Sequence, residues 1–211
     1  MKVHLLTEDA VAYPSRLRQH LGMAAPSQLA ALGNLDLLAL PKTALFCSAR
    51  CPGHAILRAY DQAAKWRDEG CCVISGFHSP VEKECLRILL RGQQPIIICP
   101  ARALPKRVPA EWKKPLADGR LLILSCFTAT YRRPTKQLAA RRNELVAALA
   151  DEVWFAHITP GGQMQRLANI WSDKTISSLA LKTPTPQHGQ QQGGEEENSP
   201  AHRRSLSVTT S

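Results

Sequence analysis

Three short stretches of this sequence set hydroxyl, guanidinium, imidazole or glycine where an anion could be held: Ser48-Ala49-Arg50, Ser75-Gly76-Phe77-His78 and Pro160-Gly161-Gly162. A fourth, Arg141-Arg142-Asn143, sets two cations and an amide just ahead of an apolar helical run. This is the chemistry of phosphate binding. Arginine offers a planar fork to two phosphate oxygens. Backbone N–H groups at a helix start carry partial positive charge, and glycine lets the main chain approach a ligand closely. His78 has the range of an acid, a base or a phosphate donor. Each stretch alone has an ordinary explanation as a loop-closing turn or a surface residue. Their weight lies in recurrence.

Other chemistries lack their motifs. There is no G-x-G-x-x-G and no G-x4-G-K-[ST], so no dinucleotide or P-loop nucleotide cofactor is expected. No G-x-S-x-G elbow accompanies a serine–histidine–acid set. The seven cysteines are odd in number and form no C-x2-C knuckle. Cys47, Cys72, Cys99 and Cys126 lie in or beside strand-like apolar runs, where a reduced thiol behaves as a small hydrophobe. Neither disulfides nor a metal are expected, and Cys47-x3-Cys51 is the one candidate nucleus for a metal.

The elements that must position these residues follow from periodicity. TALFCS, CCVISG, PIIICP, LLILSC and VWFAHI are near-continuous apolar runs, the pattern of strands buried on both faces of a parallel sheet. Between them, HAILRAYDQAAKWRDEG predicts a helix with Ile56, Leu57, Tyr60, Ala63 and Ala64 on one face. VEKECLRILLRG predicts a second, and Thr135 to Ala150 a third with Leu138, Leu145, Val146 and Leu149 inward. A loop with about one helical turn is expected over ARALPKRVPAEWKKPLADG, and a short helix through Leu167 and Ile170. The alternation implies an α/β, Rossmann-like fold: a mostly parallel sheet with helices on both faces. The polar turns then fall at corresponding places, the carboxyl ends of strands, where such sheets bind ligands.

The expected domains are a small helical N-terminal appendage over 1–42, the Rossmann-like domain over 43–181, and a disordered polar tail over 182–211. The appendage rests on Leu and Ala at helical spacing between Pro14, Pro26 and Gly33. The tail, rich in Pro, Gln, Gly and Ser, lacks the apolar residues that offset ordering entropy. It also contributes nothing to the formal charge of +10, because Lys182, Arg203 and Arg204 balance Glu195, Glu196 and Glu197. The excess therefore belongs to the folded part and suits a polyanionic partner, although it equally fits a merely soluble basic protein. No apolar run approaches the roughly 18 residues of a membrane span. The opening MKVHLLTEDA is cut by Glu8 and Asp9, unlike a signal peptide, so a cytoplasmic protein is expected.

The ordered set YPSRL, LGNLDLL, FCSAR, EGCCVISGF, DGRLLILS and RRNELVAALADEVW, closed by a glycine turn, resembles the DprA/Smf DNA-processing proteins from about Tyr13 to Ala168. The resemblance implies an extended Rossmann-like domain that binds single-stranded DNA without a known enzymatic activity. It further implies a homodimer and the loading of a RecA-type recombinase during transformation. The family's G-S-R turn corresponds to Ser48-Ala49-Arg50, its S-G-L-A-x-G-I-D run to Ser75 through Glu82, and its R-N-R run to Arg142-Asn143-Glu144. His157 stands where a glutamate is usual, and no winged-helix domain fits after Leu181.

The same superfamily holds the LOG-type nucleotide phosphoribohydrolases, which Arg141-Arg142 and Pro160-Gly161-Gly162 partly resemble. Their glycine turn continues to a threonine and an acid, whereas here Gly162 is followed by QMQRLAN. The expected function is single-stranded DNA binding without catalysis. Phosphates would meet Ser48, Arg50, Ser75, Gly76, His78, Arg141, Arg142, Asn143, Gly161 and Gly162, joined by Lys106 and Arg107 from the basic loop. Two alternatives stay open: a nucleotide sensor or hydrolase on the same pocket, and a protein-interaction module whose pocket is degenerate.

Overall fold

The computed structural model describes residues 2–127 and 129–176, which belong to one unit, Met1–Ala180. The expected polar tail, 182–211, lies outside the described residues. In chain order the elements are β1 (Val3–Thr7), α1 (Ser15–Leu21), β2 (Gln28–Gly33), β3 (Lys42–Cys47), α2 (Gly53–Asp68), β4 (Cys72–Ser75), α3 (Pro80–Leu90), β5 (Ile96–Ile98), α4 (Ala110–Ala117), β6 (Leu121–Ser125), α5 (Lys136–Leu149), β7 (Glu152–His157) and α6 (Gln163–Ile170), with single 3-10 turns between some of them. They form a seven-stranded sheet in the order β1-β2-β6-β5-β4-β3-β7. The strands from β3 to β7 all run parallel, and β1 and β2 extend that sheet antiparallel beyond β6. The α/β, Rossmann-like class expected from the apolar runs is the fold observed.

Alternation along the strands divides the core in two. Ala44 and Phe46 of β3 join Leu145, Val146 and Leu149 of α5, with Leu17 of α1 and Leu167 of α6, on one face of the sheet. Leu45 and Cys47 join Ala59, Ala63 and Trp66 of α2 and Cys85, Leu86 and Leu89 of α3 on the other. The buried stripe of α2 is Ala55, Ala59, Ala63 and Trp66, one position round from the face expected, and Leu57 is 66% exposed. Small residues on that stripe let α2 lie close to the sheet, and Trp66 meets Trp154 of β7 edge to face with ring centres 5.4 Å apart.

The helical appendage expected over 1–42 is not what the described residues 2–42 form. Only α1 and the short 3-10 turns Gly22–Ala24 and Leu35–Leu38 keep the expected form, whereas Val3–Thr7 and Gln28–Gly33 are strands that join the main sheet. Between Pro26 and Gly33 the Leu–Ala run is too short to nucleate a stable helix. In extended form its Leu29 and Ala31 reach one core face and Leu32 the other, and pairing with β6 satisfies the backbone. Tertiary pairing therefore overrides a helical composition.

Candidate functional site

From β3 the chain lays down β4, β5 and β6 in one direction, then returns to place β7 on the opposite side of β3. The strand order thus reverses between β3 and β7, and the connections diverge there to leave a crevice at the carboxyl ends. Ser48 closes its floor. Its N–H donates to His157 O at 3.0 Å, and its hydroxyl accepts the Thr159 N–H at 2.9 Å, which ties the turn after β3 to the turn after β7. In the latter turn Gly161 adopts φ +70, a conformation that side-chain-bearing residues rarely take. Gly162 then leads directly into α6.

The crevice holds a cavity of about 450 Å³ lined in part by Ser48, Arg50, His78, Arg142, Asn143 and Gly162. These six residues come from four separate segments of the sequence, and the fold brings them together. Arg50 and His78 are exposed, whereas Arg142 and Asn143 are buried. Arg142 Nε donates to Asn143 Oδ1 at 2.8 Å, and Nη1 donates to Cys99 O, just beyond β5, at 3.0 Å. Its Nη2 is engaged by neither bond. Burial pushes the Arg142 pKa down while the nearby Glu82 carboxylate opposes the shift, and the guanidinium stays a cation. The guanidinium fills the space beside Gly76, where a Cβ would sit 1.3 Å from Nη1. Glycine at 76 makes room for Arg142 rather than for a ligand.

Sequence reasoning did not single out Glu82, which also lines the cavity. Its Oε1 accepts the Cys47 N–H at 3.0 Å, and its Oε2 accepts the N–H groups of His78 and Ser79 at 2.8 and 2.9 Å. The Ser79 hydroxyl in turn accepts the Glu82 N–H, completing a capping box at the start of α3. Amides expected to meet phosphate are therefore held by a carboxylate of the chain itself. The signal was present in the S-x-x-E spacing of Ser79 to Glu82.

The remaining expected site residues fall elsewhere. Ser75 is buried and structural: its hydroxyl donates to Leu45 O at 2.7 Å and accepts the Phe77 N–H at 3.1 Å. Arg141 is exposed on α5 outside the lining, and Gly161 shapes the turn without lining the cavity. Lys106 lines a separate groove beside Ser125 at the end of β6, and Arg107 is exposed in the same loop. Between the two lies a second cavity, again of about 450 Å³, which shares His78 and Arg142 with the first and adds Lys83, Arg87 and Arg102. That lining also holds Glu111, and Arg87 is paired with Glu84 at 2.7 Å, so the basic track along this end of the sheet rests chiefly on Lys83 and Arg102. Among the described residues no cluster of His, Cys, Asp and Glu is arranged to hold a metal, and no helix is long and apolar enough to cross a membrane.

Residues 4–159 match the family of DNA recombination-mediator protein A. The chain belongs to that family. Its fold is similar to that of DNA processing protein A (DprA) from Streptococcus pneumoniae, with a TM-score of 0.66 at 20% identity over 86% of this chain and 65% of that one. The chain therefore spans less than two thirds of the pneumococcal one. It is also similar, with a TM-score of 0.63 at 22% identity, to DNA processing protein A from Helicobacter pylori, over 83% of this chain and 80% of that one. The H. pylori structure concerns that protein's single-stranded DNA binding mode. At these identities the likeness is one of fold. None of the curated proteins matches the sequence.

Proposed function

We propose that this DprA-family protein binds single-stranded DNA along the carboxyl ends of its parallel strands, with phosphates held at Arg50 and at the Nη2 edge of Arg142 in the cavity lining. The observation that carries this is the crevice at the strand-order reversal, where Ser48, Arg50, His78, Arg142, Asn143 and Gly162 converge. Cations continue from it through Lys83, Arg87 and Arg102 toward Lys106. A row of cations across one end of a sheet suits a linear polyanion better than a single small anion. The role extends to DNA recombination in the cytoplasm, as a homodimer that hands DNA to a RecA-type recombinase.

The role is one of binding rather than catalysis. Glu82, the carboxylate in the lining, has both oxygens committed to backbone N–H donors, which leaves it a poor general base. Neither Arg50 nor His78 is in turn oriented by an acid in the lining.

Fluorescence polarisation of labelled oligo-dT tests the proposal. Two to three phosphate contacts predict that affinity falls about sevenfold to twentyfold between roughly 50 and 200 mM salt. Arg50→Ala weakens binding and flattens the salt slope by about 0.7, because a single-stranded phosphate contact is lost. Affinity insensitive to salt, or an unchanged slope in Arg50→Ala, refutes the phosphate assignment. Release of free base from a nucleoside monophosphate would favour the hydrolase instead.

A further inference from the structure

We infer that Glu82 makes the crevice selective for phosphodiesters over terminal phosphate monoesters, so that it takes the interior of a DNA strand and not a mononucleotide. The inference rests on the reading of the crevice as a phosphate site. At the start of an α-helix, free backbone N–H groups and the helix dipole ordinarily make a good seat for a phosphate dianion. Here α3 begins at the crevice, but the N–H groups of His78 and Ser79 both donate to Glu82 Oε2, and the Cys47 N–H donates to Oε1. Glu82 is 5% exposed and held on two sides, by the end of β3 and by the turn after β4. The carboxylate is built into the frame.

Two consequences follow for a phosphate. The first is donor supply: a monoester presents three terminal oxygens and a diester only two, and the amides suited to the third are taken. What remains in the lining is the Arg50 fork, the Nη2 edge of Arg142, the Asn143 amide, the Ser48 and His78 side chains and the start of α6, without the amides at the start of α3. The second is charge. The lining carries two guanidinium cations against one carboxylate, a single net positive charge with His78 counted neutral. A diester monoanion matches that wall. The cost of dehydrating an ion rises with the square of its charge, whereas its attraction to a fixed wall rises only in proportion. A dianion in the crevice is also repelled by the Glu82 carboxylate in its lining.

Thymidine 5′-monophosphate and its methyl ester test this, since they share base and sugar but differ in charge and in free oxygens. At about pH 8 the monoester is a dianion. Ligand-observed NMR titration of the wild-type chain is expected to show the methyl ester binding about threefold or more tighter than the monophosphate. That order is opposite to what the overall basic charge of the protein alone would produce. In Glu82→Gln, which keeps the side-chain volume, the preference disappears or reverses; in Glu144→Gln, an exposed residue of α5 outside the lining, it persists. Equal or tighter binding of the monophosphate to the wild type overturns the inference. So does a preference that survives in folded Glu82→Gln, or the failure of both nucleotides to bind. If Glu82→Gln does not fold, the wild-type comparison alone decides. Since the titration uses no oligonucleotide, a protein that keeps the preference but fails to bind oligo-dT would sink the DNA reading and leave only the phosphodiester preference standing.

Discussion

Gly76→Ala isolates the packing of the buried guanidinium at the heart of the crevice. The Gly76 backbone is outside the left-handed region, so alanine meets no conformational penalty there. The obstacle is Arg142: an added Cβ would lie 1.3 Å from Nη1, 1.9 Å from Cζ and 2.6 Å from Nη2. The guanidinium must leave, and its bonds to Cys99 O and Asn143 Oδ1 go with it. Two hydrogen bonds from a charged donor, at about 1.5–3 kcal/mol each, put the loss at about 3–6 kcal/mol. That is a large share of a typical domain stability of about 5–15 kcal/mol. Urea denaturation measures the loss, and thermal denaturation should show a midpoint lower by about 6 °C or more. Arg142→Ala breaks the same two bonds and removes the clashing group. The double variant is therefore no less stable than Arg142→Ala alone, within about 0.5 kcal/mol. If Gly76→Ala costs less than about 1 kcal/mol, or if the two substitutions add, the packing argument fails.

Two further outcomes follow from buried groups. Burial pushes the Cys72 and Cys85 thiols up to about 12 and Cys126 up to about 11, and raises Cys47 and Cys99 as well. Alkylation of the native protein near neutral pH, followed by mass spectrometry, should therefore label the half-buried Cys51 and Cys71 first; labelling of Cys72 or Cys85 at the rate of Cys71 would contradict the core assignment. At the opposite end of the sheet, burial raises the Asp151 pKa, but the Lys42 N–H at 2.9 Å and the Arg16 and Lys42 cations outweigh it and hold the carboxyl below 3.8. A folded pKa beneath the unfolded one contributes stability above about pH 3.8, lost as pH falls through the folded value. Asp151→Asn should thus be less stable than wild type by about 1–2 kcal/mol at neutral pH, with the gap closing in acid; a constant gap down to about pH 2 would refute the coupling.

How much of this was legible beforehand differs from element to element for physical reasons. The five strands of the parallel core announce themselves because a strand covered on both faces has to be apolar at nearly every position. The segment Gln28–Gly33 does not, because Leu and Ala serve either geometry and only its pairing with β6 decides. Arg142 stood out as a cation near a helix start, yet nothing local reveals that its guanidinium packs on Gly76, which precedes it by 66 positions in the sequence. Lys106 and Arg107 carried the same charge signal as Arg50, and charge has no direction in a sequence.

Glu82 shows where the boundary lies. Its half of the capping box is local and could be read from Ser79-Pro80-Val81-Glu82. The reach of Oε1 to the Cys47 N–H spans 35 positions and exists only because β3 and β4 are neighbours. That second bond turns a helix cap into a fixed negative charge beside the strand-order reversal. The reversal itself depends on β7 returning to the far side of β3, a choice of partner made by the packing of α5 and α2 against the two faces of the sheet. The residues that could meet a phosphate were therefore visible one by one, while the carboxylate that governs which phosphate fits emerges only from topology.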